Sequence, residues 1–513
     1  MRNRFHSSGA IMNTFLSVLH AVAVGVVFLG AVPLVSALAQ FLLVGLHRWR
    51  GLYRDRRLYL PRTTVVIPAW NESNVLRPTI EALLGSDYPA SRLRVLVVDD
   101  ASTDSTAELM AELTTAHPDR VTHLRREHGG QGKAHTLNHG LREVLRGSWA
   151  EAVLVTDADV RFDPDALWRM TRQLSDPAVG AVCAYIKEGS GRHGNYVNRY
   201  IGFEYVTAQA AARRSQNVIG AVACLAGGAQ LHSRHNLADL GGRFDTETLA
   251  EDTVTTFETQ LAGNRVVFDG CATVRAEEPG TLTSLWKQRL RWSRGNLQVT
   301  RRYARLWFRG RATGDNRLGS WLFGLVWFSL LLTPALMVAS SCALLFLLFT
   351  DSGRSWFAFH ALWVINLASY LFTTLLSLVI DRSTARRCWR EALIFPGVIS
   401  VLILIVTAAP NFFVPLFNDW GLGLNPDSPH SLMGFVYSWL ALAMPIAWLA
   451  KLVESTRLRP LAPVLIQLTG YGSLLAACTV AAFVSELRHS EQRWDKTEKA
   501  GLAGRASRER GGV

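Results

Sequence analysis

Two long apolar stretches, residues 11–46 and 319–485, enclose a block from 60 to 310 that is mixed and charged like a soluble domain. A hydrocarbon layer asks for about 20 consecutive apolar residues per helix and tolerates only backbone whose N–H and C=O groups are satisfied internally. The chain is therefore read as an integral membrane protein with a soluble domain between its membrane segments. The first stretch, IMNTFLSVLHAVAVGVVFLGAVPLVSALAQFLLVGLH, exceeds one span but lacks the polar break that two would need, so it predicts one long, tilted helix over 11–46. It is too long for a secretory signal, and no small-residue cleavage site precedes the basic HRWRGLYRDRR. Five further apolar segments lie near 319–349, 357–380, 391–417, 434–453 and 461–485.

Charge sets the orientation. The formal net charge of +13 would suit nucleic acid, but Arg and Lys cluster beside the apolar segments, at 48–57, 289–311 and 382–390. Positive-inside bias accounts for that placement without a nucleic-acid partner and puts residues 47–318 in the cytoplasm of a multi-pass plasma-membrane protein. The loops 381–390 and 451–459 are basic and read as inside, whereas 351–355 and 418–430 carry acids and read as outside. Strict alternation then leaves the C-terminus outside, although the tail 486–513 is basic and argues for the cytoplasm. Either one segment is re-entrant or the charge rule fails at the end. The six cysteines are scattered without metal-like spacing and read as reduced core residues.

Inside the soluble block, strand and helix patterns alternate. TTVVIPAWNES gives a strand from Thr63 to Ile67 and a helix start at Asn71, Glu72 and Ser73; LRVLVVDDASTDS gives a strand ending in Asp99 and Asp100. The turn Gly129-Gly130-Gln131-Gly132-Lys133 could cradle phosphate but matches neither common phosphate-loop spacing. EAVLVTDADV, residues 151–160, is a buried-strand pattern ending in Asp157 and Asp159. In open α/β sheets ligands gather outside the carboxyl ends of strands, and two carboxylates at i and i+2 can share a hard divalent cation with a substrate phosphate. The competing reading is that they cap the next helix. Repeated β-α-β units with short loops predict a parallel, doubly wound sheet.

Further along, CLAGGAQLHSR reads as a strand broken by Gly227 and Gly228, paired glycines that permit a bend or close approach of a substrate. Glu251 and Asp252 open a helix, where acids also simply favour the helix dipole. In SLWKQRLRWSRG, Gln288, Arg291 and Trp292 share a helical face, and residues 297–318 read as an interfacial amphipathic helix.

Taken in order, Asp99–Asp100, the QGKA of Gln131–Ala134, Asp157-Ala158-Asp159, Glu251-Asp252 and Gln288-x-x-Arg291-Trp292 resemble the family 2 inverting glycosyltransferases. The likeness is strongest to the processive membrane synthases that make poly-β-1,6-N-acetylglucosamine, hyaluronan, chitin oligomers and cellulose, and it covers roughly residues 60–296. It implies a GT-A-like α/β nucleotide-sugar-binding domain embedded between transmembrane helices, with bound Mg²⁺ or Mn²⁺. Carried over by position, Asp100 would contact the uridine of a UDP-sugar, Glu72 and Lys133 would line the nucleotide pocket, Asp157 would hold the ribose or donor sugar, and Asp159 would ligate the metal. Asp252, with Glu251 beside it, would be the general base, Arg291 would bind the leaving diphosphate, and Gln288 and Trp292 would meet the acceptor. Ala250 stands where the family usually has Thr, which removes a hydroxyl but keeps both acids.

The resemblance implies an enzyme that extends a β-linked polysaccharide and extrudes it through its membrane helices, with UDP-N-acetylglucosamine the favoured donor. Accessory export subunits and membrane lipid are its expected partners. Trp321, Trp327, Trp356, Trp363, Trp389, Trp420, Trp439 and Trp448 could line a sugar path or serve as interfacial belt and packing. RWDKTEKAG, residues 493–501, resembles the lid of some relatives and equally a tail held by anionic lipid. Two alternatives stand beside this reading: non-processive transfer of one sugar to a membrane lipid acceptor, and a transporter or scaffold carrying an inactive transferase-like domain.

Overall fold

The structure, a computed structural model, describes residues 2–51, 53, 56–310, 317–409, 412, 413, 415 and 429–490. Trp420 and the segment 493–501 lie outside the described residues. The chain divides into two units. One comprises Gln40–Trp327, Ser377–Cys388 and Ala482–Val513; the other comprises Met1–Ala39, Phe328–Leu376 and Trp389–Ala481.

The chain opens with α1 (Arg2–Leu29) and α2 (Val32–Arg50), followed by β1 (Thr63–Ala69), α3 (Ser73–Leu84), β2 (Leu93–Asp99), α4 (Thr106–Ala116), β3 (Val121–Arg125), α5 (Lys133–Arg146) and β4 (Ala152–Thr156). Then come β5 (Arg161–Phe162), α6 (Ala166–Thr171), β6 (Val179–Glu188), α7 (Tyr196–Glu204), α8 (Ala211–Ile219), β7 (Ala229–Ser233), α9 (Arg234–Asp239), α10 (Glu251–Leu261), β8 (Arg265–Ala276) and α11 (Leu282–Arg302). Their eight strands form one sheet in the order β3-β2-β1-β4-β7-β6-β8-β5.

The sheet is mixed, which corrects the all-parallel expectation. β1, β2, β3 and β4 are parallel, but β7 runs antiparallel to both β4 and β6, and β5 antiparallel to β8. Alternating strand and helix patterns record order along the chain and carry no strand direction. The reversal has a consequence for chemistry: Thr156 at the carboxyl end of β4 pairs with Ala229 at the amino end of β7. The Gly227–Gly228 turn, which precedes β7 and does not interrupt it, is thereby laid beside Asp157.

A buried apolar layer seats α5 on this sheet, with Val66, Val98, Val153, Val155, Leu137 and Leu141 each fully or nearly fully buried. Each such side chain contributes about 1.5–3 kcal/mol. A Cβ on Gly140 would stand 2.6 Å from Val98 Cγ2 and 3.0 Å from Val66 Cγ1, so the helix can lie this close only with glycine there. Because α5 begins at Lys133, the same contact fixes where that lysine emerges. Within the span 297–318 expected as an interfacial helix, residues 297–302 continue α11 and turns follow from Tyr303 to Phe308; residues 311–316 lie outside the described residues. Trp327 packs here against Trp307, with ring centroids 5.4 Å apart, and its Nε1 donates to Thr300 Oγ1 at 2.9 Å.

Two outlying segments of the chain are bound to this same unit. Asp381 accepts from Lys187 Nζ at 2.8 Å and from the Tyr185 hydroxyl at 3.2 Å, while Arg387 Nη2 donates to Glu188 Oε2 at 2.8 Å. Glu486 Oε1 accepts from Arg294 Nε at 2.7 Å, and the carbonyl of Ser490 accepts from Arg294 Nη2 at 2.7 Å.

The second unit is helical. Ala23 and Val27 of α1 pack with Leu344, Leu347, Phe359, Val436 and Tyr437. A Cβ on Gly30 would fall 2.7 Å from Ser340 Cβ, so small residues bring α1 and the helix Thr333–Thr350 together. The segment expected at 319–349 is broken at Leu332 into Trp321–Leu331 and Thr333–Thr350, with a proline opening the second helix. Among the described residues, four helical spans, Met12–Arg50, Thr333–Thr350, Ser352–Ile380 and Phe435–Val453, are long and apolar enough to cross a membrane, and a fifth is reached if Leu461–Thr469 and Tyr471–Leu487 act as one. That last pair is bent by 92° at Gly470. Gly470 (φ +81°) meets Gly397 (φ +89°), where the helix Val398–Ala408 begins: a Cβ on Gly397 would come 2.7 Å from the Gly470 nitrogen, and one on Gly470 would come 2.4 Å from the Gly397 nitrogen. The Tyr471 N–H donates to the Phe395 carbonyl at 3.2 Å across the same junction.

Candidate active site

The carboxyl ends of β1, β2 and β4 carry the acids the sequence singled out. Asp99 is fully buried and accepts from the Ser102 N–H at 2.8 Å and from Arg125 Nη1 at 3.0 Å. Burial alone would raise its carboxyl, but hydrogen bonds from His123 and Ser102 and the Arg125 charge outweigh it and bring the pKa down to about 2. Asp100 is ion-paired with Arg126 and accepts the Gly130 N–H at 2.9 Å. A Cβ on Gly129 would fall 2.1 Å from the Asp100 carbonyl oxygen, so only glycine fits this crossing. The Gly-rich turn thus spends Gly130's N–H on a carboxylate of the protein. Glu72 is half-buried at the start of α3, its N–H donating to Thr106 Oγ1 at 3.0 Å.

The centre of the site is a lysine among acids. Lys133 Nζ lies 2.5 Å from Asp157 Oδ1 and 3.9 Å from Glu251 Oε1, and donates to the Gly227 carbonyl at 3.2 Å. The Gly227 N–H in turn donates to Asp252 Oδ2 at 3.1 Å, and Asp252 Oδ1 accepts the Thr253 N–H at 2.7 Å. The two backbone groups of one residue, Gly227, therefore tie Lys133 to Asp252. A Cβ at Gly227 would come 3.0 Å from Lys133 Nζ, tighter than side chains ordinarily pack. Burial and the neighbouring Asp252 charge push the Glu251 carboxyl up, against the lowering influence of Lys133 and Arg291. Burial opposes ionisation of Lys133, but Asp157 and Glu251 outweigh it and raise its pKa.

Asp157 and Asp159 flank a tight turn closed by the Val160 N–H on the Asp157 carbonyl at 3.2 Å, and the turn is pinned by Thr79 Oγ1 donating to the Ala158 carbonyl at 2.7 Å. Among the described residues no group of three or more His, Cys, Asp or Glu could enclose a metal. Two carboxylates fit a hard cation that takes its remaining oxygens from a substrate diphosphate. The donor set accordingly suits an ion brought in with a ligand, not a closed structural centre.

The helix α11 supplies the third side. Gln288 Nε2 donates to Glu278 Oε2 at 3.0 Å, Arg291 lies close enough to Glu251 to lower its pKa, and Trp292 is half-buried under the Arg289 guanidinium. A Cβ on Gly295 would stand 2.7 Å from Ala250 Cβ, so α11 meets the chain one residue ahead of Glu251 at nearly its closest possible distance. The sequence-predicted residues thus fall in three groups: Asp100 and Glu72 at neighbouring strand ends; Lys133, Asp157, Glu251 and Asp252 joined through Gly227, with Asp159 on the adjoining turn; and Gln288, Arg291 and Trp292 on α11. Sequence reasoning missed Glu204, Tyr205, Glu278 and Arg289. Only Arg289, inside the QRLRW run, carried any local signal.

Residues 61–295 match the family described as "Glycosyltransferase like family 2", and this part of the chain is a family 2 glycosyltransferase domain with a GT-A-like fold. The protein is accordingly a glycosyltransferase. It is 27% identical over 337 residues to "Probable glycosyltransferase YdaM" of Bacillus subtilis, covering 64% of this chain and 77% of that one. It is 29% identical over 240 residues to "Poly-beta-1,6-N-acetyl-D-glucosamine synthase" of Staphylococcus aureus, covering 46% of this chain and spanning about half, 55%, of that relative's length. Among solved structures, a mannosyltransferase of Pyrobaculum calidifontis in complex with GDP-Man and Mn²⁺ aligns with a TM-score of 0.49 at 24% identity, covering 71% of this chain and 99% of that one. TarS of Staphylococcus aureus in complex with UDP-GlcNAc aligns with a TM-score of 0.34 at 14% identity, covering 64% and 90%.

Proposed function

We propose that the protein is a membrane-bound inverting transferase that moves a sugar, N-acetylglucosamine by preference, from its UDP derivative to the end of a growing β-linked polysaccharide. The observation that carries this reading is the junction at Gly227, whose carbonyl accepts from Lys133 and whose N–H donates to Asp252, beside Asp157. Similarity to a poly-β-1,6-N-acetylglucosamine synthase supports the donor and the polymer.

The chemistry is a single displacement. Asp252, its two oxygens oriented by the Gly227 and Thr253 N–H groups, takes the proton of the acceptor hydroxyl as that oxygen bonds to the anomeric carbon. The bond to the diphosphate breaks and its electron pair leaves with the nucleotide, toward Arg291. Such general-base help is worth about 10²–10⁴-fold. Asp100 and Glu72 serve the nucleoside, Lys133 and Asp157 the donor, and Gln288 and Trp292 the acceptor. Asp159, with Asp157, would hold Mg²⁺ or Mn²⁺, which supplies charge neutralisation to the leaving diphosphate.

The transferase domain is assigned to the cytoplasm, and the chain is returned to its side at residue 490. Support comes from the two segments bound to the domain, Asp381–Arg387 on β6 and Glu486–Ser490 on α11. The chain between them must cross the membrane an even number of times, so one of the three apolar segments within 391–485 does not cross. Val398–Ala408 is about 16 Å long, half a hydrocarbon thickness, and the pair bent at Gly470 is the other candidate.

The test is incubation of the purified protein in lipid with radiolabelled UDP-N-acetylglucosamine, UDP-glucose and Mg²⁺ or Mn²⁺, with products sized on a gel. A ladder from the first donor is the expected result. A single discrete glycolipid overturns processivity in favour of single transfer, and a ladder from UDP-glucose alone overturns the donor.

A further inference from the structure

Behind Trp292 stands a chain of buried charges that the proposed mechanism does not use. The Arg289 guanidinium lies over the Trp292 ring, 4.2 Å from its centroid. Arg289 is itself only 5% exposed at its side chain. Its Nη2 donates to Glu204 Oε2 at 2.5 Å and its Nη1 to Gln288 Oε1 at 2.6 Å. Gln288 then donates to Glu278, whose other oxygen accepts the Tyr205 hydroxyl at 2.6 Å. Glu204 and Tyr205 are neighbours at the point where α7 widens into a π turn, Tyr205–Ala210, a distortion that re-aims side chains and recurs at functional sites. Two adjacent residues of one segment therefore hold Gln288 and Arg289, and through Arg289 the indole.

We propose that Glu204 is a positioning residue for the acceptor: by anchoring Arg289 against one face of the Trp292 indole it leaves the opposite face as the surface on which the acceptor sugar stacks. The inference rests on the transferase reading, with Trp292 under the acceptor. The physics is local. A guanidinium is attracted to the face of an indole, more strongly when both are shielded from water, and its planar fork can serve the ring, Gln288 and Glu204 together. Remove the carboxylate and the buried cation loses its counter-charge, so it leaves the ring and the indole turns. The donor contacts assigned to Glu72, Asp100, Asp157 and Lys133 come from the loops after β1, β2 and β4 and from the start of α5, apart from this network.

Two measurements test it on the full chain in lipid. With saturating donor and an oligosaccharide acceptor varied, Glu204→Gln should raise the acceptor KM about tenfold, a difference of about 1.4 kcal/mol, while donor KM and kcat stay within about threefold of the parent. The second measurement needs no turnover: iodide quenching of the Trp292 signal, obtained by difference against Trp292→Phe, should increase in Glu204→Gln while UDP affinity is unchanged. The double variant Glu204→Ala with Arg289→Met removes both partners together and should show the same split without the unpaired charge. Equal shifts in acceptor and donor KM, or an unchanged Trp292 signal, overturn the positioning role. If the parent transfers no sugar at all, the transferase reading falls, and the quenching difference still decides whether Glu204 sets the indole.

Discussion

Gly295 on α11 faces Ala250 so closely that a Cβ on the glycine would stand 2.7 Å from the alanine's. The helix bearing Gln288, Arg291 and Trp292 is thus pressed onto the residue that introduces Glu251 and Asp252, and the small side chain of Ala250 matches that contact. Gly295→Ala should force the two apart. Overpacking of this kind costs about 1–3 kcal/mol, and the expected outcome is a lower melting temperature with a larger loss in kcat than in UDP affinity, read by thermal unfolding and by steady-state rates.

Asp252→Asn removes the proposed base while keeping an oxygen for the Gly227 N–H. Turnover should fall by about 10²–10⁴-fold, with UDP binding by calorimetry close to that of the parent. Near-normal transfer by the variant would remove Asp252 from the mechanism.

Asp159→Ala tests the cation. Without that carboxylate, Mg²⁺ or Mn²⁺ should no longer strengthen UDP binding, and a chelator that weakens UDP binding to the parent should leave the variant unchanged. Titration of UDP with and without metal gives both values.

Lys133→Gln takes the counter-charge from Asp157, Glu251 and Asp252. Lys133 is raised and stays charged, so its support of the Glu251 carboxylate is present at neutral pH and shrinks as Glu251 protonates. Glu251, already raised, would rise further. A carboxyl raised by folding binds more protons folded than unfolded, so stability falls as pH climbs through that window. The melting temperature of Lys133→Gln should therefore lie further below the parent's at pH 8 than at pH 5. An equal deficit at both pH values would show that the ion pairs with Lys133 contribute nothing.

Ser490→Cys reports topology. With other accessible thiols replaced, an impermeant maleimide applied to sealed vesicles of known orientation should label it from the same side as Glu112→Cys, an exposed position on α4. Labelling from opposite faces would overturn the even-crossing assignment.

Much of this was legible in the residues. Acids at strand ends announce themselves because an apolar run stopping at Asp99, Asp100 or Asp157 has few structural uses, and glycine pairs mark close approaches. Strand direction was not legible: alternation of helix and strand is the same whether β7 runs with its neighbours or against them, and only the pairing of Thr156 with Ala229 reveals it. Nor could spacing find Glu204, which meets Arg289 across 85 residues of chain. Breaks within the apolar segments are hidden for a related reason, since one run of apolar residues reads alike whether it is straight or, as at Leu332 and Gly470, broken.

The crossing of Gly397 and Gly470 ties two distant stretches of the helical unit together. Each glycine fills the notch left by the other's missing side chain, so the start of the short helix at Val398 is seated by the much later stretch around residue 470. The helical unit therefore closes this contact only with its later segment in place, and a mutation near Tyr471 would be felt at the distant helix that begins at Val398.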